Sequence, residues 1–447
     1  MTILTACGST PTTTLNPAPH SPFATTFDSS SAPTITSFAA VPATIARGES
    51  ATLEWDVDDP IAALTIDNGV GGVFGKTKVV SPLVTTTYTL FASNGAGSLS
   101  QEVTVVVIGS PAEGTATSTT TANYEPWSQA TENLAGLSSE CGNMSFVSAH
   151  PYADSVIAGI AQQGLWMDNP DDGSFVQLGG GASSATIRNR TSSIVYDPGV
   201  PGQFWQSGIY NGAGVFRTVD AGITFQQLGN VEHSDNVSID FTDPLRLTML
   251  SGKHEAATLY RSQDAGATWQ DISATLPADI GYATSPYVIN ATTYLLGTNN
   301  GPAAGVYYTD NGGLSWTMAF DAPISGRPIV SVSDGALYWL LDFGSGLIRS
   351  EDFGATWTVV NATTPFARAP GSLVQLPDGS LAALGDATVL VSSDLGITWE
   401  PVGEGLPYVP NGLTYAPFRE QFYIWKLDCA AGTNPIPANA IMKMSYP

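Results

Sequence analysis

Between Pro33 and Ile108, hydrophobic and polar residues alternate in short runs broken by Gly, Pro, Asn and Asp. In Ala51-Thr52-Leu53-Glu54-Trp55-Asp56-Val57 the alternation sets Leu53, Trp55 and Val57 on one face. Thr87–Ala92 and Glu102–Val107 read the same way. A period of two is that of half-buried strands, so this stretch predicts a β-sandwich. Residues 8–32 and 109–122 are rich in Ser, Thr, Pro and Ala and carry too little apolar surface to order themselves. The predicted division is therefore a leader remnant and tether at 1–32, a sandwich domain at 33–108, a linker at 109–122 and a second domain at 123–447.

That second domain repeats. Ser/Thr-x-Asp/Asn-x-Gly-x-Ser/Thr-Trp/Phe occurs at Thr218–Phe225, Ser262–Trp269, Ser350–Trp357 and Ser392–Trp399. Thr309–Trp316 carries Asn311 at the acidic position, and a degenerate copy ends at Phe175. The closing aromatics at 175, 225, 269, 316, 357 and 399 are spaced by 50, 44, 47, 41 and 42. Strand-like filler at a period of about 40–50 predicts a β-propeller, one four-stranded blade per repeat. Trp127 lies one period before Phe175, and three strand-like segments follow the last repeat. The economical count is seven blades, the last built from three C-terminal strands and one strand near Trp127. Such a closure makes the segments around Cys141 and Cys429 neighbours, and a disulfide between these two cysteines is expected.

The repeat resembles the Asp-box, or BNR, repeat of sialidases, propeller xyloglucanases and sortilin-type receptors. The resemblance implies that Asp220, Asp264, Asn311, Asp352 and Asp394 staple hairpins between third and fourth strands, on the rim opposite the usual binding face. They are read as structural. Residues 33–108, with Pro42, Trp55, Tyr88 and Asn94-Gly95-Ala96-Gly97, resemble bacterial immunoglobulin-like modules, which implies a spacer. Leu4-Thr5-Ala6-Cys7 resembles a lipobox, which implies lipidation at Cys7. Two departures limit what is carried over. The sialidase arginine motif is replaced by Gly326-Arg327-Pro328-Ile329, and the acidic residue of the first xyloglucanase blade by Ala161 or Gln162.

Charge narrows the functional classes. The chain has 15 Lys+Arg against 39 Asp+Glu, a formal net charge of -24. Gripping nucleic acid needs clustered cations, and docking on an anionic membrane needs the same, so both are excluded apart from a lipid anchor. No apolar run approaches the roughly 18 residues of a membrane span. No P-loop, nucleophile elbow, zinc ligand set or dinucleotide fingerprint stands out, so neither metal nor cofactor is expected.

Candidate chemistry lies in loops entering each blade and loops joining second and third strands. Arg188, Arg190, Arg327 and Arg368 are placed there, suited to bidentate carboxylate or sulfate recognition. His233 and His254 fall beside Asp235, Lys253 and Glu255, where a histidine can act as a general base. Tyr210 is the matching proton donor, and Tyr282 and Tyr408 are candidates for stacking on sugar rings. His150, in Ala149-His150-Pro151, reads as structural. The expected function is a secreted or cell-surface protein whose propeller binds extracellular polysaccharide, acidic glycan above all. The alternatives are a glycoside hydrolase or uronate lyase acting through His233 or His254 with Tyr210, and a protein–protein scaffold.

Overall fold

The computed structural model describes residues 33–108, apart from 47–49, 59–62, 67–70, 74–75, 81, 83–84 and 95–96. It also describes residues 126–446, apart from 141–143, 201, 213, 325, 368–371 and 428–433. Among the described residues the regular elements are β-strands and three single-turn 3-10 helices. No helix among them is long and apolar enough to cross a membrane.

Ile35–Val41, Ala51–Val57 and Thr77–Val80 form a three-stranded sheet. Thr44–Ala46, Gly97–Ile108, Thr86–Asn94, Ala63–Ile66 and Gly71–Gly72 form a five-stranded one in that order. Alternation decides the faces: Leu53 and Trp55 are buried while Glu54 and Asp56 are exposed. Both sheets supply one core that includes Leu53, Trp55, Ile66, Tyr88 and Leu90.

Residues 128–445 build seven four-stranded sheets. Their first strands are Met144–Ala149, Arg190–Tyr196, Ser234–Ile239, Tyr282–Val288, Ile329–Val330, Leu373–Gln375 and Gly412–Ala416. First strands of successive sheets lie against one another, and the last against the first, except that the fourth and fifth sheets meet through the cluster of Leu295 and Trp339. Each hydrophobic cluster draws on two consecutive sheets: Trp205 with Val237, Tyr307 with Leu250, Leu295 with Trp339. One cluster, with Val147, Ile160, Tyr423 and Trp425, joins the last sheet to the first. The sheets thus close into a β-propeller. In the last of them Ser128–Gln129 is the fourth strand, pairing Gln129 with Met442 and Ser128 with Lys443. The fourth strands at the outer edges run only two to four residues, so among the described residues the ring offers little sheet edge for another chain to add to.

Two sets of polar contacts hold this ring. The first is the repeat itself. Asp264 Oδ1 accepts from the Thr268 amide at 2.8 Å and Oδ2 from its hydroxyl at 2.6 Å. Ser262 Oγ donates to Asp264 at 2.8 Å and accepts from the Gly266 amide at 2.8 Å. Gly266, at φ 86°, takes a left-handed bend that a side chain would resist. Asp220, Asp352 and Asp394 make the same bonds. Asn311 keeps the geometry without charge, its Nδ2 donating to Ser315 Oγ at 2.8 Å. The second set ties sheet to sheet. Arg246 donates to both oxygens of the buried Asp197, at 2.9 and 2.8 Å. Across the seam, Arg419 of the last sheet pairs with Asp154 and Asp168 of the first.

Cys7, Cys141 and Cys429 lie outside the described residues. Nearby, Ser138–Ser139 pairs with Asn434–Pro435. This small ladder joins the chain just before Cys141 to the chain just after Cys429.

Two outcomes follow for stability. Asp264→Ala removes two acceptors from the turn and lowers unfolding free energy by about 1 kcal/mol in denaturant titration. The Thr268 hydroxyl and amide hold the Asp264 carboxyl below its ordinary value. Its contribution is therefore present above the unfolded value, near 4, and fades as pH falls through the lowered folded value. Asp264→Asn, which copies Asn311, flattens that acid limb; an unchanged limb contradicts this role. Arg419→Ala strands Asp168 without its partner and costs about 3–5 kcal/mol in the same titration.

Candidate functional site

The topology separates the two ends of the propeller. The aspartate turns follow third strands, so they stand at the end where first strands finish. At the other end, first strands begin and second strands stop. Here lies a cavity of about 480 Å³, whose lining includes Arg190, Asp235, His254, Tyr282, Asp342 and Trp425. None of the five turn residues lines it.

Two glycines set how closely the lining strands approach. A Cβ on Gly252 would lie 2.1 Å from the carbonyl oxygen of Ala283 in the next sheet. A Cβ on Gly208 would lie 2.5 Å from Asn189 Oδ1. Both precede the candidate side chains by two residues, His254 and Tyr210. Glycine at both positions permits these close approaches; His254 lines the cavity, and the Tyr210 hydroxyl stands against it.

The polar centre is a chain of contacts. His254 Nδ1 lies 2.9 and 3.1 Å from the two oxygens of Asp235. His254 Nε2 lies 3.0 Å from the Tyr210 hydroxyl. The Arg190 guanidinium sits over the Tyr210 ring, 4.9 Å from its centre. The Tyr210 amide donates to His233 Nδ1 at 3.0 Å, and the His254 amide donates to the His233 carbonyl at 2.6 Å. The network assigns the tautomers: neutral His254 donates from Nδ1 to Asp235 and accepts from Tyr210, while neutral His233 carries its proton on Nε2. The bond to Asp235 raises His254 above its ordinary pKa, against the opposing effect of burial. Their side chains are 19% and 17% exposed, so the pair is shielded but reachable.

The backbone here is unusual. Tyr210, Asn211, His233 and Glu255 have φ of 58°, 53°, 53° and 48°. Left-handed non-glycine residues cost free energy, and they gather where a structure holds side chains for a purpose. Asn211 bonds to Glu140, which also accepts from Gln162 Nε2 at 3.1 Å. Glu140 thus buttresses the Tyr210 turn from the first sheet.

The remaining sequence candidates are dispersed. Tyr282 lines the cavity. Arg188 is exposed and does not line it. Arg327 is half-buried, its charge disfavoured by lost hydration and favoured by nearby Tyr287, while its neighbour Gly326 lines the cavity. Tyr408 is set aside as a ligand group: its hydroxyl donates to the carbonyls of Ile424 at 3.2 Å and Ala440 at 3.1 Å, and it packs on the core between the last two sheets. Arg368 lies outside the described residues. His150 is buried, its Nδ1 accepting from the Tyr152 amide at 3.0 Å, and burial lowers it to about 4. Among the described residues no cluster of His, Cys, Asp and Glu has the arrangement of a metal site. Sequence reasoning missed Phe146, Trp425 and Glu140. The two aromatics meet edge to face at 5.4 Å and both line the cavity wall. Trp425 is buried and its indole N–H has no hydrogen-bond partner among the described residues.

No family model matches the chain, and no curated protein does. Solved structures do. The GH74 xyloglucanase of Xanthomonas campestris is 17% identical over 71% of this chain and 55% of its own, at a TM-score of 0.48. The Niastella koreensis GH74 enzyme is 15% identical over 69% and 53%, at 0.49. A streptogramin B lyase is 12% identical over 71% and 97%, at 0.49. This chain spans about half the length of the two GH74 enzymes.

Histidine titration followed by NMR tests the geometry. His254 titrates above the ordinary value of about 6.5, and Asp235→Asn lowers it. The stability drawn from this pair is complete below the unfolded value and is lost as pH rises through the folded one. His150 keeps its neutral signal down to about pH 4. A His254 value that Asp235→Asn leaves unmoved contradicts the contact.

Proposed function

We propose that this protein is an extracellular, surface or secreted, polysaccharide-recognition protein that takes acidic glycan into the cavity on the propeller axis. One observation carries the reading: in a chain of charge -24, the Arg190 side chain lines the cavity, and its guanidinium rests on the Tyr210 ring without a hydrogen bond or ion pair to another described residue. The carboxylates around it are engaged: Asp235 holds His254, Glu255 lies 3.8 Å from the same imidazole, and Asp342 also has a partner. Arg190 is the one arginine or lysine among the described residues that line the pocket, and a sugar carboxylate or sulfate is the natural complement of its guanidinium. Tyr282, Phe146 and Trp425 supply apolar and edge contacts for sugar rings.

The finer architecture belongs to the same proposal. Seven four-stranded sheets and the bonded turns support a seven-bladed Asp-box propeller. Two sheets around Trp55 support an immunoglobulin-like spacer at 33–108. Leu4-Thr5-Ala6-Cys7 supports lipid attachment at Cys7. The ladder between Ser138–Ser139 and Asn434–Pro435 supports a Cys141–Cys429 disulfide across the seam.

Calorimetry with uronate and neutral oligosaccharides tests the binding reading. Uronate oligomers bind and neutral ones do not, and Arg190→Ala weakens binding by about 10-fold or more, the worth of a charged hydrogen bond. Equal affinity in Arg190→Ala overturns the assignment. Non-reducing peptide mapping yields a Cys141–Cys429 linked peptide; two free thiols overturn the seam disulfide.

A further inference from the structure

We propose that the Asp235–His254–Tyr210 array is a proton-transfer device that cleaves 4-linked uronate polysaccharide by β-elimination, with Tyr210 as the catalytic residue. The inference rests on the acidic-glycan reading above and names its chemistry.

Three features of the site meet here. The Tyr210 hydroxyl stands 3.0 Å from His254 Nε2, and the opposite ring nitrogen is anchored on Asp235. That is the order of groups in a relay: a carboxylate fixes the imidazole and the imidazole takes the proton of a hydroxyl. The Arg190 guanidinium covers the phenol ring and borders the cavity. It stabilises negative charge as it develops on the hydroxyl oxygen and on a sugar carboxylate beside it. Third, left-handed backbone at Tyr210, Asn211, His233 and Glu255 aims these side chains, and Glu140 braces the turn through Asn211. A structural tyrosine needs none of this. Tyr408, whose hydroxyl is spent on two backbone carbonyls, shows what a structural one looks like.

The step balances without a co-reactant. Tyr210 passes its proton to His254 Nε2, and Asp235 holds the imidazolium so formed. The phenolate oxygen removes the C5 proton of the uronate, and the electron pair moves onto the carboxylate, which Arg190 faces. The C4–O4 bond breaks, a C4–C5 double bond forms, and O4 of the leaving chain takes the proton from Tyr210. His254 then returns its proton to Tyr210. The products are a 4,5-unsaturated uronate and a new sugar end. Asp235 is committed to His254 and Glu140 to Asn211 and Gln162, so neither is offered as one of a hydrolytic carboxylate pair.

The groups facing His254 are Asp235, Glu255, Arg190, Tyr210 and His233, with Lys253 adjacent in the chain. Neutral His254 is the competent form, so the rate rises as pH climbs through its titration. Asp235→Asn moves that rise to lower pH while slowing the reaction. A merely structural role for Asp235 leaves the midpoint in place.

The experiment uses the full chain with polygalacturonate, alginate and a glucuronate-containing glycosaminoglycan. Ultraviolet absorbance of unsaturated uronate reports cleavage, and calorimetry reports binding. At least one polymer is cleaved, and Tyr210→Phe lowers the rate by about 10²-fold or more with binding retained. Binding without unsaturated product from any of the three overturns the elimination proposal and leaves the recognition reading standing. Neither binding nor product overturns both. Cleavage that survives Tyr210→Phe removes Tyr210 from the chemistry.

Discussion

Everything at the axis depends on ring closure. Each sheet buries its faces only against its two neighbours, so no sheet is stable alone and no cavity exists until the last sheet meets the first. Closure is made by two residues, Ser128 and Gln129, added as a fourth strand to three strands from the far end of the chain. Hydrophobic contact between Val147 and Trp425 and the Arg419 pair with Asp154 and Asp168 seal the same junction. Trp425 belongs at once to that seal and to the cavity wall. Integrity of the seam and shape of the site are therefore one problem.

The molecule divides labour between its two ends. At one, carboxylates are fully used by backbone amides and hydroxyls, and the turn keeps its bonds with Asn311 in place of an aspartate. At the other, side chains are held in costly backbone conformations, and the Arg190 guanidinium lies over the Tyr210 ring rather than in a salt bridge with a described residue. Polar groups that satisfy one another make structure. Polar groups that are held apart and pointed at space make a site.

Much of the fold was legible in the sequence, because strand alternation and a repeat near 45 residues are local signals. Leu53 and Trp55 fell on the buried face by parity alone, and the spacing of Trp269, Trp316, Trp357 and Trp399 marked successive sheets. The site was only partly legible. His254, Tyr210 and Arg190 were candidates by loop position, but their contact depends on two neighbouring sheets, the second giving Arg190 and Tyr210 and the third His254. Glu140 sits in an unremarkable segment, and only the folded ring sets it beside Asn211. Arg188 and Arg190 are two residues apart, yet one faces solvent and the other the cavity. Nothing in their spacing distinguishes them. Tyr408 read as a ligand group because the carbonyls of Ile424 and Ala440 that its hydroxyl bonds approach it only after folding.

The most direct measurement is a crystal structure of the Tyr210→Phe protein soaked with a uronate tetrasaccharide. The account predicts one sugar carboxylate on the Arg190 guanidinium, with the C5 hydrogen of that residue turned toward ring position 210 and the chain lying across the Phe146 and Trp425 wall. Sugar seated at the opposite end among the aspartate turns, or a carboxylate held away from Arg190, would contradict it.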